Sequence, residues 1–372
     1  MKFAGSQKVR WLAGAAAMTI AFTASAHADE RYAAMVIDAR SGEVLLSDHA
    51  DEARYPASLT KMMTLYLLFD AIEHGQVSMD ARMTASRHAA AQPPSRLGLQ
   101  CSRRRGCDTI TVEQAVRGIV VQSANDVAMM VAERLGGSED RFVAQMNARA
   151  RQLGMTNTHF VNPNGLPDPH QYSSAHDLAV LSQALWRDFP QYYHYFQTAG
   201  FTYRNRYSTN HDHLLGQVEG VDGIKTGYTR ASGYNLASSA ERNGRRVIVV
   251  VMGGESASAR DAQVSYLIEG AFEEYARRDL DPNGVTYANL PTNRLDVTLS
   301  PNAGGGVLAR ATPSAPLVSG PLAAQGQVVE TMNPVHGALQ PSNATGQGDQ
   351  DNSTDEPDTS AVSAATGGHA QQ

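Results

Sequence analysis

The chain is organised around one segment, Arg54-Tyr-Pro-Ala-Ser-Leu-Thr-Lys-Met-Met-Thr-Leu-Tyr-Leu-Leu-Phe-Asp70. Its apolar residues recur at helical spacing after Pro56, which predicts a helix with Ser58 in its first turn or at its cap. Ser58 and Lys61 are three residues apart and therefore project from the same face. A serine is a weak nucleophile until a neighbouring base removes its proton, and an amine can do this. Spacing alone favours a simpler interpretation, a capping serine followed by a solvated lysine.

Strands are predicted on both sides of a long helical region. The first pair, 31–39 and 44–47, precedes the Ser58 segment, and a second pair, 234–241 and 246–252, flanks the hairpin dipeptide Asn243-Gly244. Strand-like segments also occur at 200–204 and 221–228, and helices are predicted at 111–122, 126–134, 138–153, 174–186, 189–196 and 258–277. This order predicts an α/β protein of the α+β type. Its antiparallel sheet would be flanked by helices and completed by both ends of the domain, with a helical subdomain inserted.

The composition divides the 372 residues into three parts. Residues 1–28 have a basic start, an apolar core of about twelve residues and small residues near 24–28, as in a secretory signal peptide; a retained membrane anchor is the alternative. Residues 29–280 are the predicted catalytic domain. Residues 281–372 are rich in Ala, Gly, Pro, Ser, Asn and Gln, which predicts a disordered, low-complexity tail. We expect an exported, periplasmic protein, and the net charge of −6 without long basic runs gives no reason to expect nucleic acid.

The chain has two cysteines and several histidines, the side chains that most often bind zinc. Cys101 and Cys107 are six residues apart in Gln100-Cys-Ser-Arg-Arg-Arg-Gly-Cys107, and in an oxidising compartment they are expected to form a local disulfide. The histidine spacings match no zinc motif, and His211-Asp-His213 is predicted to be an exposed polar turn. We therefore expect no metal and no cofactor.

Two further motifs accompany Ser58-Leu-Thr-Lys61. Ser123-Ala-Asn125 lies between two predicted helices, and Lys225-Thr-Gly227 lies on a predicted strand. Each is weak alone, because Ser and Asn commonly end and cap helices and a strand lysine is usually exposed. Together, in this order, the three match the S-x-x-K, S-x-N and K-T-G set of penicillin-binding proteins and class A β-lactamases.

The surroundings of these motifs extend the likeness. Five segments carry this likeness: Tyr55–Thr64, Gly118–Asp126, Gly154–Leu166, Asp222–Thr229 and Gly233–Ala237. Through them the chain resembles the D-alanyl-D-alanine carboxypeptidases, the low-molecular-mass penicillin-binding proteins of serine peptidase family S11. The resemblance covers about residues 31–277 and implies the β-lactamase/transpeptidase-like fold. The loop Gly98–Thr109 contains both cysteines and three arginines and is longer than the usual form in the family. The difference implies either an altered rim of the cleft or only a loop closed by a disulfide.

The resemblance implies the roles of the catalytic residues. Ser58 would form an acyl-enzyme, and Lys61 would be its base if desolvation and a nearby cation such as Lys225 lower the pKa of its amine. Ser123 would relay a proton to the leaving amine. Asn125 would hold the substrate amide and connect the lysines.

The remaining implied roles concern binding of the substrate. The backbone N–H groups of Ser58 and Tyr228 would form the oxyanion hole beside Gly227. Thr226 and Arg260 would bind the terminal carboxylate of the substrate.

The implied activity is removal of the terminal D-Ala from peptidoglycan stem peptides, with β-lactams as inhibitors that acylate Ser58. Three alternatives remain: a DD-endopeptidase acting on cross-linked peptides, a β-lactamase, and an inactive wall-binding protein. The β-lactamase is disfavoured because 162–169 contains no glutamate that could drive deacylation. Membrane association stays open, because the C-terminal β domain and amphipathic anchor of some family members are not visible in the sequence.

Overall fold

The computed structural model describes residues 31–280, and a five-stranded sheet runs through this part. The strands are β1 (Ala33–Asp38), β2 (Val44–Asp48), β3 (Arg82–Thr84), β4 (Cys101–Ser102), β5 (Gly106–Cys107), β6 (Thr109–Thr111), β7 (Gly200–Tyr203), β8 (Arg206–Thr209), β9 (Val221–Thr229), β10 (Gly233–Arg242) and β11 (Arg245–Gly254). The sheet has the order β2-β1-β11-β10-β9 and is antiparallel throughout. This confirms the prediction that both ends of the domain complete one antiparallel sheet.

Helices cover the sheet and fill the sequence between β2 and β9. The α-helices are α1 (Lys61–Glu73), α2 (Arg87–Ala90), α3 (Val112–Gln122), α4 (Asn125–Gly136), α5 (Glu139–Gln152), α6 (Ala175–Asp188), α7 (Pro190–Tyr193) and α8 (Ala257–Leu280), with 3₁₀ turns at Ala57–Thr60 and His194–Gln197. Helix α1 is buried along most of its length and packs against α3, α4, α5 and α6. The predicted helical insertion is therefore present, and α1 lies inside it.

Strand β11 shows why the sheet forms where it does. Its alternate residues face two different apolar clusters, because α6 and the helical insertion cover one face of the sheet and α8 covers the other. Ile248, Val250 and Met252 belong to the first cluster, and Val247 and Val249 to the second. A strand that is covered on both faces is apolar at nearly every position. Full burial of each such side chain stabilises the fold by roughly 1.5–3 kcal/mol.

Within residues 31–280, three short two-stranded pairings lie outside the main sheet: β3 with β6, β4 with β5, and β7 with β8. The sequence patterns predicted no strand over 75–110 and none at 206–209. Cys101 and Cys107 face each other in the β4–β5 pair and form a disulfide, which confirms the predicted local staple.

Two predictions, the signal peptide at 1–28 and the disordered tail at 281–372, lie outside the described residues. Between residues 31 and 280, no helix combines the length and apolar character needed to cross a bilayer. The same range contains no cluster of His, Cys, Asp and Glu side chains that could hold a metal ion.

Candidate active site

Ser58 and Lys61 are directly hydrogen-bonded. The 3₁₀ turn Ala57–Thr60 continues into α1, so that Lys61 Nζ donates to Ser58 Oγ at 2.8 Å. The same amine donates to the backbone carbonyl of Asn164, and none of the Lys61 side chain is exposed. The interpretation as a solvated lysine is therefore wrong, and the serine has a base within reach.

The turn that carries Ser58 is fixed from two sides. Asn235 on β10 donates through Nδ2 to the carbonyl oxygens of Tyr55 at 3.0 Å and Pro56 at 3.2 Å, and its Oδ1 accepts from the N–H of Gly253. On the other side, Gly165 has φ +82°, and a Cβ at this position would lie 2.0 Å from the carbonyl oxygen of Ala57. The backbone of the 162–169 loop thus lies against the peptide that precedes the serine, where only glycine fits.

Removal of the Asn235 side chain should weaken both the fold and the site. Asn235→Ala leaves backbone groups of Tyr55, Pro56 and Gly253 without their partner in a position that is fully buried. We expect the free energy of unfolding in urea to fall by about 2–4 kcal/mol and penicillin acylation to slow by about tenfold.

The control for this change is Gln152→Ala, which removes an exposed amide from α5. It should alter neither quantity. Wild-type stability and acylation in Asn235→Ala would show that the asparagine does not hold the turn.

The pKa of Lys61 lies well below its usual value. Burial is the main cause, and the charge of Lys225 adds to it, whereas the carboxylate of Asp126 opposes it. A desolvated amine beside a second cation gives up its proton more readily. The lowered pKa favours the neutral amine, which is the form that can accept the proton of Ser58.

Ser123 and Asn125 stand at the junction of α3 and α4. Ser123 ends α3 with φ +54°, and its Oγ is buried without a hydrogen-bond partner among the described residues. Asn125 donates from Nδ2 to the carbonyl of Pro93 at 3.0 Å, and in the described part of the chain no hydrogen bond joins it to either lysine. A strained backbone holding an unpaired hydroxyl is typical of a functional position.

Lys225, Thr226 and Gly227 lie on β9, the edge strand of the sheet, which packs against the Ala57–Thr60 turn. Lys225 is 2% exposed and donates from Nζ to the carbonyl of Thr226 at 2.9 Å. A Cβ on Gly227 would lie 3.0 Å from the Ser58 nitrogen, so the glycine permits close contact between strand and turn. The unpaired side of an edge strand can hydrogen-bond to an extended peptide.

Tyr228 and Arg260 complete the predicted set. Tyr228 is 54% exposed, and its ring lies 4.2 Å from that of Tyr234. Arg260, on α8, is buried and donates to Asp261 at 2.6 Å and to the carbonyl of Asn235 at 3.2 Å. It is thus not a surface arginine, although its guanidinium already has two partners.

Asp212 was missed by the sequence analysis, which predicted an exposed polar turn at His211-Asp-His213. That prediction is wrong for Asp212, which is 4% exposed and has a buried Oδ2 without a hydrogen-bond partner among the described residues. Burial raises the pKa of Asp212 to about 6, against the charges of Arg260 and Lys225. Burial also lowers the pKa of Lys225 to about 7, with Arg260 adding to the effect and Asp212 opposing it. The aspartate therefore favours the charged form of Lys225.

Removal of the Asp212 charge should shift the pH dependence of catalysis. Lys225 loses its proton as the pH rises through about 7. The family resemblance implies that this cation helps to bind the substrate, so its loss should weaken the attraction for a substrate carboxylate. Asp212→Asn removes the charge that favours the protonated lysine, so its pKa falls further. We expect the alkaline limb of the kcat/KM profile for D-Ala release to move to lower pH by about one unit.

The exposed Asp140→Asn on α5 is the control and should leave the profile unchanged. An unmoved alkaline limb in Asp212→Asn would show that the aspartate does not act on Lys225.

The chain is similar to known proteins in both its sequence and its fold. Residues 20–256 match the sequence profile of the D-alanyl-D-alanine carboxypeptidases, Peptidase_S11. The D-alanyl-D-alanine carboxypeptidase DacA of Escherichia coli is 37% identical over 75% of this chain and 73% of its own length.

Solved structures of penicillin-binding proteins are similar to this fold. Penicillin-binding protein 5 of Haemophilus influenzae is 34% identical with a TM-score of 0.62, and the match covers 65% of this chain and 70% of that one. Penicillin-binding protein D2 of Listeria monocytogenes, in its cefotaxime-bound form, is 32% identical with a TM-score of 0.57, over 64% of this chain and 95% of that one.

Proposed function

Because the chain belongs to the D-alanyl-D-alanine carboxypeptidases of peptidase family S11, we propose that Ser58, Lys61 and Ser123 catalyse this activity. The observation that carries the proposal is the 2.8 Å hydrogen bond between a fully buried lysine amine and the hydroxyl of Ser58. The protein is a serine-type carboxypeptidase that releases D-Ala from peptidoglycan stem peptides.

Acylation begins when Ser58 Oγ attacks the carbonyl carbon between the two D-alanines and its proton passes to Lys61. The N–H groups of Ser58 and Tyr228 stabilise the tetrahedral oxyanion. The C–N bond then breaks, and the leaving amine takes its proton from Lys61 through the hydroxyl of Ser123. The penultimate D-Ala stays bound to Ser58 as an ester. Water attacks this ester with Lys61 as base, which frees the shortened peptide and restores the serine.

Substrate binding would involve the junction of α3 and α4 and the edge strand β9. Asn125 holds the peptide amide, and the backbone of the Lys225-Thr226-Gly227 strand pairs with the extended substrate. Lys225, Thr226 and Arg260 attract the terminal carboxylate, which accounts for action on a free C-terminus. β-Lactams would acylate Ser58 by the same route, as supported by the cefotaxime-bound relative.

The activity is tested by comparing two substrates. D-Ala release from a stem pentapeptide is measured beside cleavage of a cross-linked dimer, at equal concentrations of enzyme. We expect release from the pentapeptide to dominate. Dominant cleavage of the dimer would make the protein a DD-endopeptidase, and absence of both activities would support an inactive wall-binding protein.

We further infer that the protein is exported to the periplasm and that 29–280 is the catalytic domain. The pattern of residues 1–28 and the Cys101–Cys107 disulfide both support export, because disulfides persist in oxidising compartments. Cell fractionation and mass spectrometry of the purified protein should find it in the periplasm, beginning near residue 27 or 29. An intact Met1 in a membrane fraction would instead indicate a retained anchor.

A chain that ends at residue 280 should still release D-Ala.

A further inference from the structure

Two adjacent hairpins give this acidic protein a local basic surface. The β4–β5 hairpin exposes Arg103, Arg104 and Arg105 at its tip, and the β7–β8 hairpin exposes Arg204 and Arg206. The hairpins are joined by an ion pair between Arg204 and Asp108. Over 100–109 and 200–209 the sequence has five arginines against one aspartate, although the whole chain has a net charge of −6. Such a concentration of charge attracts an anionic ligand.

A pocket of about 190 Å³ opens within this surface and is lined by Leu97, Gln122, Tyr203, Arg204 and Arg206. We call it the arginine pocket. Its volume fits one side chain rather than a whole peptide. Leu97 and the Tyr203 ring give it apolar walls, and the guanidinium of Arg204 lies 5.4 Å from the centre of that ring.

The arginine pocket adjoins the cleft. Gln122, in its wall, is the residue immediately before Ser123. The Gln122 amide donates to the carbonyl of Arg96 at 2.9 Å and accepts from Ser208 Oγ at 3.4 Å, which ties the end of α3 to the β7–β8 hairpin. The pocket therefore lies next to the end of α3 that carries Ser123, one of the proposed catalytic residues.

The two arginines of the pocket differ in their partners. Arg204 is already paired with Asp108, whereas Arg206 has no acidic partner within residues 31–280 and is exposed. A guanidinium presents planar donors that suit a carboxylate, and an apolar wall beside it strengthens the attraction by excluding water. The pocket is therefore complementary to a short acidic side chain.

We propose that the arginine pocket binds a free carboxylate carried by one of the residues that precede the two D-alanines of the stem peptide, with Arg206 as its main contact. The inference rests on the proposed function, because it places the substrate in the Ser58 cleft. It makes the pocket a specificity-determining subsite, which would favour acidic over amidated stem peptides.

The test compares two pentapeptides that differ only in that carboxylate, which is free in one and a carboxamide in the other. The wild-type protein should have a kcat/KM about tenfold higher for the acidic peptide, mainly through KM, as expected for one charge-assisted contact at a partly exposed site. Arg206→Gln should lose this preference and keep wild-type activity on the amide. Arg206→Glu should prefer the amide. Added salt at about 0.5 M should reduce the wild-type preference, because it screens exposed charges.

Arg151→Gln, which removes an exposed arginine from α5, is the control and should retain the full preference. Equal kcat/KM for both peptides in the wild-type protein, or an equal loss on both in Arg206→Gln, would overturn the subsite while leaving the carboxypeptidase assignment intact. No D-Ala from either peptide, with no penicillin label, would overturn both.

Discussion

Replacement of Ser58 by alanine should lower D-Ala release by about 10⁴-fold or more and abolish covalent labelling by a fluorescent penicillin. In the proposed mechanism the hydroxyl oxygen of Ser58 forms the ester in both reactions, and it accepts a hydrogen bond from Lys61. The variant loses only that oxygen from a turn that Asn235 continues to hold, so the fold should persist. Labelling is read on a denaturing gel, and release by quantifying free D-Ala.

The exposed Ser78→Ala provides the matched control and should label normally. Circular dichroism of both variants should match the wild-type spectrum. A label that survives in Ser58→Ala would place the nucleophile elsewhere, whatever the hydrogen bond to Lys61 suggests.

Replacement of Lys61 by methionine should slow acylation by about 10²–10⁴-fold, the usual contribution of a general base. Methionine has a similar length and suits a fully buried position, so the loss would come from the missing amine. The rate constant of penicillin acylation, measured by stopped-flow or rapid quench, isolates this step. The Asn164 carbonyl, which accepts from Lys61, loses its partner, and we expect this to lower the free energy of unfolding by about 1–3 kcal/mol.

Lys61→Arg distinguishes a base from a mere cation. A guanidinium keeps the positive charge but does not lose its proton, so this variant should be as slow as Lys61→Met. Acylation by Lys61→Arg at close to the wild-type rate would show that charge, and not proton removal, is what position 61 supplies.

The fold could be predicted wherever the sequence pattern was long or had a specific turn. Asn243 and Gly244 both have positive φ, as the hairpin between β10 and β11 requires, and this turn was predicted from the dipeptide alone. Strands β3–β6 and β8 were not predicted, because they have only two to four residues, too few for an alternating pattern to appear. No feature of the local sequence identifies β9 as the edge strand that borders the cleft.

In the site, too, short local motifs could be recognised from the sequence, whereas contacts between distant residues could not. The three motifs located Ser58, Ser123 and Lys225, but the importance of Asp212 depends on cations from other parts of the chain, and Asn235 binds a segment 180 residues away. One signal was available: residues 31–280 contain no lysine except Lys61 and Lys225, whereas arginines are numerous. A lysine can be neutral near pH 7 when buried, and an arginine cannot.

Burial of the two lysines makes the stability of the fold depend on pH. Because the pKa values of Lys61 and Lys225 are lowered from 10.5, the unfolded chain binds more protons than the folded chain from the lowered values up to 10.5. The free energy of unfolding therefore rises with pH across that window, and a buried ammonium weakens the fold below it. The burial that makes the Lys61 amine available as a base in the proposed reaction therefore also makes its protonated form destabilising to the fold.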